Sequence, residues 1–127
     1  MGLSTHVLDT MHGRPAGGMK VQLFTTQGLV QRPQAVLVKS FVLNDDGRSP
    51  DGPLYDSASL RAGTYRLVFD VAAYFKAQGV TLPELAFLDQ VSLDFGVADT
   101  RQHYHVRLLV GPSNFWIQSC PSVSVSS

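Results

Sequence analysis

The strongest chemical signal in the sequence is a pair of histidines within "DTRQHYHVRLL", residues 99–109. His103 and His105 are two residues apart, and side chains at that spacing lie on the same face of a strand. Apolar residues alternate with them, so we expect the apolar side chains to face the core and the imidazoles to face outward together with Arg107. Imidazole titrates near neutral pH and can act as a general base or acid. The pair therefore indicates a site, provided that something covers this face.

Two further basic residues belong with this pair only if the fold brings them to it. His6 lies in "LSTHVLD", where Ser4, His6 and Leu8 share one face, so that this face is partly apolar. Arg48 lies in "NDDGRSP", a turn in which Gly47 can adopt a positive φ. A lone histidine of this kind is more often structural, and an arginine in a turn is usually solvated. Their chemical meaning depends on the tertiary structure.

A metal site and a bare histidine surface are the alternatives for the same residues. Two strand histidines two apart form a common zinc pair, but zinc needs a third nitrogen, sulfur or oxygen ligand. The available ligands are His6, Asp9, His12 and Cys120, and no regular spacing connects them. We therefore expect no metal and no other cofactor.

The composition excludes several classes of protein. The 127 residues are 44% hydrophobic and 16% charged, which is typical of one globular domain over residues 1–127. The formal net charge of zero gives no attraction to nucleic acid or to an acidic membrane. No apolar run reaches the roughly 18 residues of a membrane span. The first residues lack a secretory pattern, and the single cysteine excludes an internal disulfide, so we expect a cytoplasmic protein.

Short alternating runs between turn-forming segments predict an all-β sandwich or barrel. The runs "MKVQLF", "TYRLVFD" and "QVSLDFGV" each place apolar residues on one face. The run "AVLVKSFVL" is apolar on both faces, which predicts a strand in the centre of a sheet. One segment, "DVAAYFKAQG", instead predicts a helix of about two turns, with Asp70 as the N-cap and Gly79 as the stop.

Four segments together resemble the 5-hydroxyisourate hydrolase family, the transthyretin-related enzymes of urate degradation. They follow the family's order and spacing from residue 3 to about residue 112 and read "LSTHVLDTMHGRPAGGMKVQLF", "DDGR", "AGTYRLVFDVAAYFKAQGV" and "QHYHVRLL". The resemblance implies a transthyretin-like (prealbumin-like) β-sandwich of about eight strands with one short helix. It also implies a homotetramer, a dimer of dimers, in which a channel between the dimers covers the histidine face.

The same resemblance implies an activity and a set of site residues. The activity is hydrolysis of 5-hydroxyisourate to 2-oxo-4-hydroxy-4-carboxy-5-ureidoimidazoline. It assigns catalysis to His6 and to His105, the second histidine of "HYHV", and substrate binding to Arg48. One histidine would activate water while the other holds or protonates the substrate, and the sequence does not decide which. His103 is interpreted as a residue at the end of the strand.

The C-terminal tail departs from the family from about residue 113. The family ends in "YRGS", whereas this chain has "QSCP" at residues 118–121. Arg107 also stands where the family usually has proline. We expect Gln118 and Ser119, or Arg107, to replace the missing substrate contacts. The alternative is a transthyretin-like small-molecule binding protein with weak or no hydrolase activity.

Overall fold

The computed structural model describes residues 2–26, 36–56, 59–82 and 88–120. Within these ranges the chain forms eight strands and one helix, so the prediction of an all-β fold with one short helix is confirmed. The elements are β1 (Gly2–Asp9), β2 (Arg14–Pro15), β3 (Lys20–Thr25), β4 (Val36–Val42), β5 (Gly63–Asp70), α1 (Val71–Ala77), β6 (Gln90–Val97), β7 (His103–Val110) and β8 (Phe115–Cys120).

The strands form two four-stranded sheets that enclose one core. The first sheet has the order β2-β1-β7-β8 and the second has the order β4-β3-β5-β6. Each pair is antiparallel except β1 and β7, which run parallel. This parallel pair matters for the site, because it brings the first strand of the chain beside the "HYHV" strand. A hydrogen bond from the buried Thr5 hydroxyl to the Val106 carbonyl, at 2.9 Å, ties the two together.

The predicted alternation is confirmed in the strands that line the core. Val21, Leu23, Leu67, Phe69 and Leu108 are fully buried, and each lies on the face that its pattern predicts. Their burial removes large apolar side chains from water, which is the main stabilising contribution to such a sandwich. Because one face of each strand is committed to the core, the polar residues between them are directed outward.

The helix forms where the 3.6-residue pattern predicts it. It covers Val71–Ala77, about two turns, and buries Val71, Ala72, Tyr74 and Phe75. Asp70 occupies the N-cap position, as predicted, although its side chain makes no capping hydrogen bond. The helix is held by packing and by the Tyr74 hydroxyl, which donates to Asp9 Oδ2 at 2.7 Å.

The prediction that "AVLVKSFVL" is central in a sheet is wrong. Its strand, β4, lies at the edge of the second sheet, and Val36, Leu37, Val38 and Val42 are exposed. A segment with apolar residues on both faces can therefore have a neighbouring strand on one side only. Lys39 breaks the run, and its ammonium donates to the Leu54 carbonyl at 3.4 Å. A charged side chain of this kind is a common feature of edge strands.

The turn before Arg48 requires the glycine at its centre. Gly47 has a φ of 73°, and a Cβ atom there would collide with the Val7 carbonyl oxygen. The Val7 N–H donates to the Gly47 carbonyl at 2.9 Å, so the turn packs directly on β1. This contact brings Arg48 to the edge of the first sheet. No helix in the described part of the chain is long and apolar enough to span a membrane.

Candidate active site

The parallel pairing of β1 and β7 brings the sequence-predicted histidines together. In the register of this pair, Ser4 is opposite His105 and His6 is opposite Arg107. All four side chains lie on the outer face of the first sheet, because the residues between them are core residues. The ring centroids of His6 and His105 are 6.5 Å apart, with the ring planes tilted by 39°.

Arg48 reaches the same place from the other side of β1. It forms an isolated antiparallel bridge with His6, outside the named strands. The Asn44 side-chain oxygen accepts hydrogen bonds from the backbone N–H groups of Asp46 and Arg48, at 2.9 and 3.1 Å, which fixes the turn. The structure therefore brings together His6, His105 and Arg48, three of the residues that the sequence analysis assigned to the site.

Arg48 and His105 border a cleft of about 690 Å³. A volume of this size is typical of small-molecule sites. His6 lies beside the cleft wall through its contact with the His105 ring. The cleft is lined by Ser4, Thr5, Asn44, Arg48, Ser49, Pro50, Gly52, Pro53, His103 and His105.

His105 is oriented by a residue that the sequence analysis did not select. Its Nδ1 atom lies 2.8 Å from the Ser4 hydroxyl oxygen, and the contact is half-buried. In the tautomer whose Nδ1–H donates to Ser4, the Nε2 atom carries a lone pair and can accept a proton. A serine in β1 therefore holds the ring in one orientation, as the orienting partner of a general base does.

The surroundings of both imidazoles favour their neutral forms. Burial lowers the pKa of His105, and the charge of Arg48 lowers it further. Burial likewise lowers the pKa of His6, again reinforced by Arg48 and then by Arg107. A hydrogen bond to the backbone of Asp46 and the charge of its carboxylate oppose this shift at His6 without reversing it. Neutral imidazole is the form that can accept a proton from water.

His103 has a second role beyond the one that the sequence predicted. It begins β7, as expected, and it also lines the cleft. Its ring stacks on that of His105 with centroids 6.2 Å apart and planes 15° apart. The three imidazoles of His6, His105 and His103 therefore form a continuous series along the outer face.

The predicted substrate-binding residues of the tail are separated by their register. Gln118 is exposed and pairs with Arg107, so it continues the row that contains His6. Ser119 pairs instead with Val106, a core residue. Gln118 is not among the residues that line the cleft in a single subunit.

Two site residues, Ser4 and His103, were missed or given another role because strand pairing is not visible in a single sequence. The alternation of side chains along each strand indicated the correct face for both residues. It could not indicate that β1 lies parallel to β7 with Ser4 opposite His105.

Two of the alternative metal ligands, Asp9 and His12, lie next to the helix. His12 Nδ1 lies 2.6 Å from Asp9 Oδ2, next to the helix, and the ring stacks on Phe75. In the described residues, no three or more histidine, cysteine or acidic side chains are grouped so as to hold a metal ion. The expectation that the protein needs no metal stays a prediction.

Comparison with known proteins agrees with this geometry. Residues 3–117 match the model of the HIUase/Transthyretin family. The chain is 47% identical over 113 residues to 5-hydroxyisourate hydrolase 2 of Rhizobium meliloti (strain 1021), spanning 89% of this chain and 90% of that protein. Among solved structures it resembles the 5-hydroxyisourate hydrolase of Klebsiella pneumoniae, with a TM-score of 0.73, 26% identity, and coverage of 94% and 99%.

A crystal structure of (S)-allantoin synthase is also similar, with a TM-score of 0.83 and 38% identity over 94% of this chain. The chain spans only 43% of that longer protein. The family model and the high-identity relative cover nearly the whole described fold, including the strands that carry the histidines. The chain therefore belongs to the HIUase/Transthyretin family.

Proposed function

We propose that this protein is a cyclic amide hydrolase that opens the ring of 5-hydroxyisourate in urate degradation. The observation that carries the proposal is the convergence of His6, Arg48 and His105 on one face beside one cleft, although they are far apart in the sequence. Relatives named 5-hydroxyisourate hydrolase, at 45–47% identity over about nine-tenths of this chain, supply the substrate.

The cleft suits a small, planar, polar heterocycle. Its polar lining includes hydroxyl groups, the Asn44 amide and the Arg48 guanidinium, all of which can bond to ring carbonyl and N–H groups. The guanidinium stays charged near neutral pH and presents a planar set of donors to carbonyl or anionic oxygens. Arg48 would bind the substrate and stabilise the negative charge that develops on the attacked carbonyl oxygen.

The reaction adds one water molecule across a lactam bond. A histidine takes a proton from water while the water oxygen bonds to the ring carbonyl carbon. The carbon–nitrogen bond of the tetrahedral intermediate then breaks, and the leaving nitrogen receives the proton. The ring opens to a carboxylic acid, which ionises, and no redox change occurs. The product would be 2-oxo-4-hydroxy-4-carboxy-5-ureidoimidazoline.

Of the two catalytic histidines, we assign the base to His105. Its ring is held by Ser4, and burial together with nearby cations favours its neutral form. His6, 6.5 Å away between ring centroids, would hold the substrate or protonate the leaving group. His103 would pack against the base rather than react.

For the tail, we propose Gln118 as the stronger substitute for the family's C-terminal contacts. It shares an outer row with His6 and Arg107, whereas Ser119 pairs with a core residue. An amide can both donate to and accept from a heterocycle. Ser119 remains the second proposal for substrate binding from this strand.

We further propose that the protein is a cytoplasmic homotetramer, a dimer of dimers, acting on a small molecule and on no nucleic acid or membrane. The support is the outer face of the first sheet, which carries the site and continues into an exposed apolar residue, Trp116. Covering this face with another subunit would exclude water from the imidazoles and strengthen their electrostatic interactions.

The test is to generate 5-hydroxyisourate in situ with urate oxidase and follow its ultraviolet decay. Wild-type protein should accelerate the decay, and His6→Ala, Arg48→Ala and His105→Ala should each reduce it by at least about 100-fold, the usual contribution of a general base or an oxyanion donor. His12→Asn, which keeps a donor for Asp9 outside the cleft, is the matched control. A chelator should leave the rate unchanged.

The same assay separates the hydrolase from the binding-protein alternative. Decay equal to that in buffer, combined with tight binding of an aromatic ligand, would support a carrier. Replacing residues 118–121 with "YRGS" tests the tail: a large gain in rate would mean that the native tail limits catalysis.

A further inference from the structure

Arg107 is a charged residue on the outer face of the first sheet, the face that carries the site. It has no role in the reaction proposed above. In the register of the sheet it lies opposite His6 on one side and opposite Gln118 on the other. Because Arg48 bridges the opposite edge of β1 at His6, the residues run across the face in the order Arg48, His6, Arg107, Gln118. His6 therefore has a guanidinium-bearing residue on each side.

The Arg107 side chain has an unused hydrogen-bond donor. Its Nε atom is buried and has no hydrogen-bond partner in the described part of the chain. A buried N–H group without a partner is destabilising, and such groups are rare in folded proteins. The arginines that form ion pairs in the described residues are Arg66 with Asp94 and Arg101 with Asp99, so Arg107 is left for another acceptor.

The charges around the imidazoles show which kind of acceptor fits. The charges of Arg48 and Arg107 both act on His6 and on His105. Against them, Asp46 is the acidic residue that acts on His6. The net charge of these groups is positive, and it favours a ligand with negative or strongly electron-rich oxygens.

The spacing of the two arginines fits a planar ligand between them. Arg48 and Arg107 are separated by two strand spacings, roughly 10 Å across the sheet. A purine-sized ring system with an oxygen on each of two edges, hydrogen-bonded at both ends, spans a similar distance. A ligand with oxygen on one edge only could reach one guanidinium but not both.

We propose that Arg107 is a second substrate-binding arginine, which donates to an oxygen on the edge of the heterocycle away from Arg48. This inference rests on the proposed function for the identity of the substrate. It adds a specificity: the site selects planar, anionic heterocycles that carry oxygens on two edges. Arg107 thereby adds a contact to the substrate contact proposed for Gln118, its neighbour in the sheet.

The experiment compares Arg107→Gln and Arg107→Lys with Arg66→Gln as the matched control. Arg66 is also a strand arginine, but it lies on the other sheet and pairs with Asp94. Steady-state KM and kcat are measured with 5-hydroxyisourate. Binding of urate, a stable anion with oxygens on both edges, and of hypoxanthine, with one oxygen, is followed by the fluorescence of Trp116, the single tryptophan.

Arg107→Gln should raise KM and the urate Kd by roughly tenfold or more, the effect of losing a hydrogen bond from a charged group. The hypoxanthine Kd and the kcat at the optimum pH should change by less than about threefold. The acid limb of kcat/KM should move to higher pH, because Arg107 contributes to the low pKa of both imidazoles. Arg107→Lys should restore the pH profile but not the KM, since it keeps the charge and loses the planar fork.

Unchanged KM and urate Kd in Arg107→Gln would overturn the inference, as would equal weakening of urate and hypoxanthine. If Arg107→Gln does not fold, Arg107→Lys is the test. A KM and a urate Kd equal to those of the wild type in Arg107→Lys would refute the contact of Arg107 with the second edge of the substrate. A wild-type protein that binds urate through Arg107 but does not hydrolyse 5-hydroxyisourate would remove the proposed function while leaving this inference intact.

Discussion

The contact between Ser4 and His105 offers the sharpest test of how the site is built. Ser4→Ala removes one hydroxyl group and nothing else from β1. The backbone pairing of this strand with β7 does not depend on the side chain. The variant therefore frees the His105 ring without removing it, and its effect on the rate measures the value of orientation alone.

The expected magnitude follows from the geometry. The hydrogen bond is 2.8 Å long, half-buried and between two neutral groups. Such a bond contributes about 0.5–1.5 kcal/mol net, which corresponds to a loss in kcat of about twofold to twelvefold. KM should change little, because the ring still occupies the cleft. The free energy of unfolding should fall by no more than about 1.5 kcal/mol, since a half-buried alanine leaves no large cavity.

The assay is the ultraviolet decay of 5-hydroxyisourate, corrected for its spontaneous decay. Ser92→Ala, an exposed serine on a strand of the other sheet, is the control for loss of a hydroxyl group. Ser4→Thr retains a hydroxyl group and should recover part of the rate. A kcat for Ser4→Ala equal to that of the wild type would refute the idea that this contact prepares His105 for catalysis.

Two further predictions concern pH. The pKa of His6 and of His105 is lowered by burial and then by Arg48, so kcat/KM should stay high down to a pH below the usual imidazole value of about 6.5 and fall as these groups protonate. Arg48→Gln should move this acid limb to higher pH in addition to weakening substrate binding, and a pH–rate profile with an unmoved limb would contradict the electrostatic argument. Burial raises the pKa of Asp9, but hydrogen bonds from Tyr74 and His12 outweigh it and the net pKa is lowered. Asp9→Asn should therefore lower the free energy of unfolding by about 2–3 kcal/mol at pH 7. That difference should shrink as the pH falls from the unfolded value of about 3.9 through the lower folded pKa, as measured by urea denaturation at several pH values.

The sequence predicted the secondary structure well where one rule was sufficient. Alternation identified the core faces of β3, β5 and β7, and the 3.6-residue pattern identified the helix at Val71–Ala77. The prediction that β4 is central in its sheet was wrong, because a run of apolar residues on both faces does not indicate how many strands flank the segment. Whether a strand is central or at an edge depends on pairing between distant segments.

The residue types and faces of the site were determined by the sequence alone. Two histidines at a spacing of two on an amphipathic strand had to share its outer face, and a glycine was needed in the turn before Arg48. Only the tertiary structure decided that β1 runs parallel to β7, which sets Ser4 against His105 and His6 between two arginines. The contacts between β1 and β7 join residues about 100 positions apart. Local sequence patterns report which way a side chain points, whereas the partner that it meets is selected by the packing of the whole sandwich.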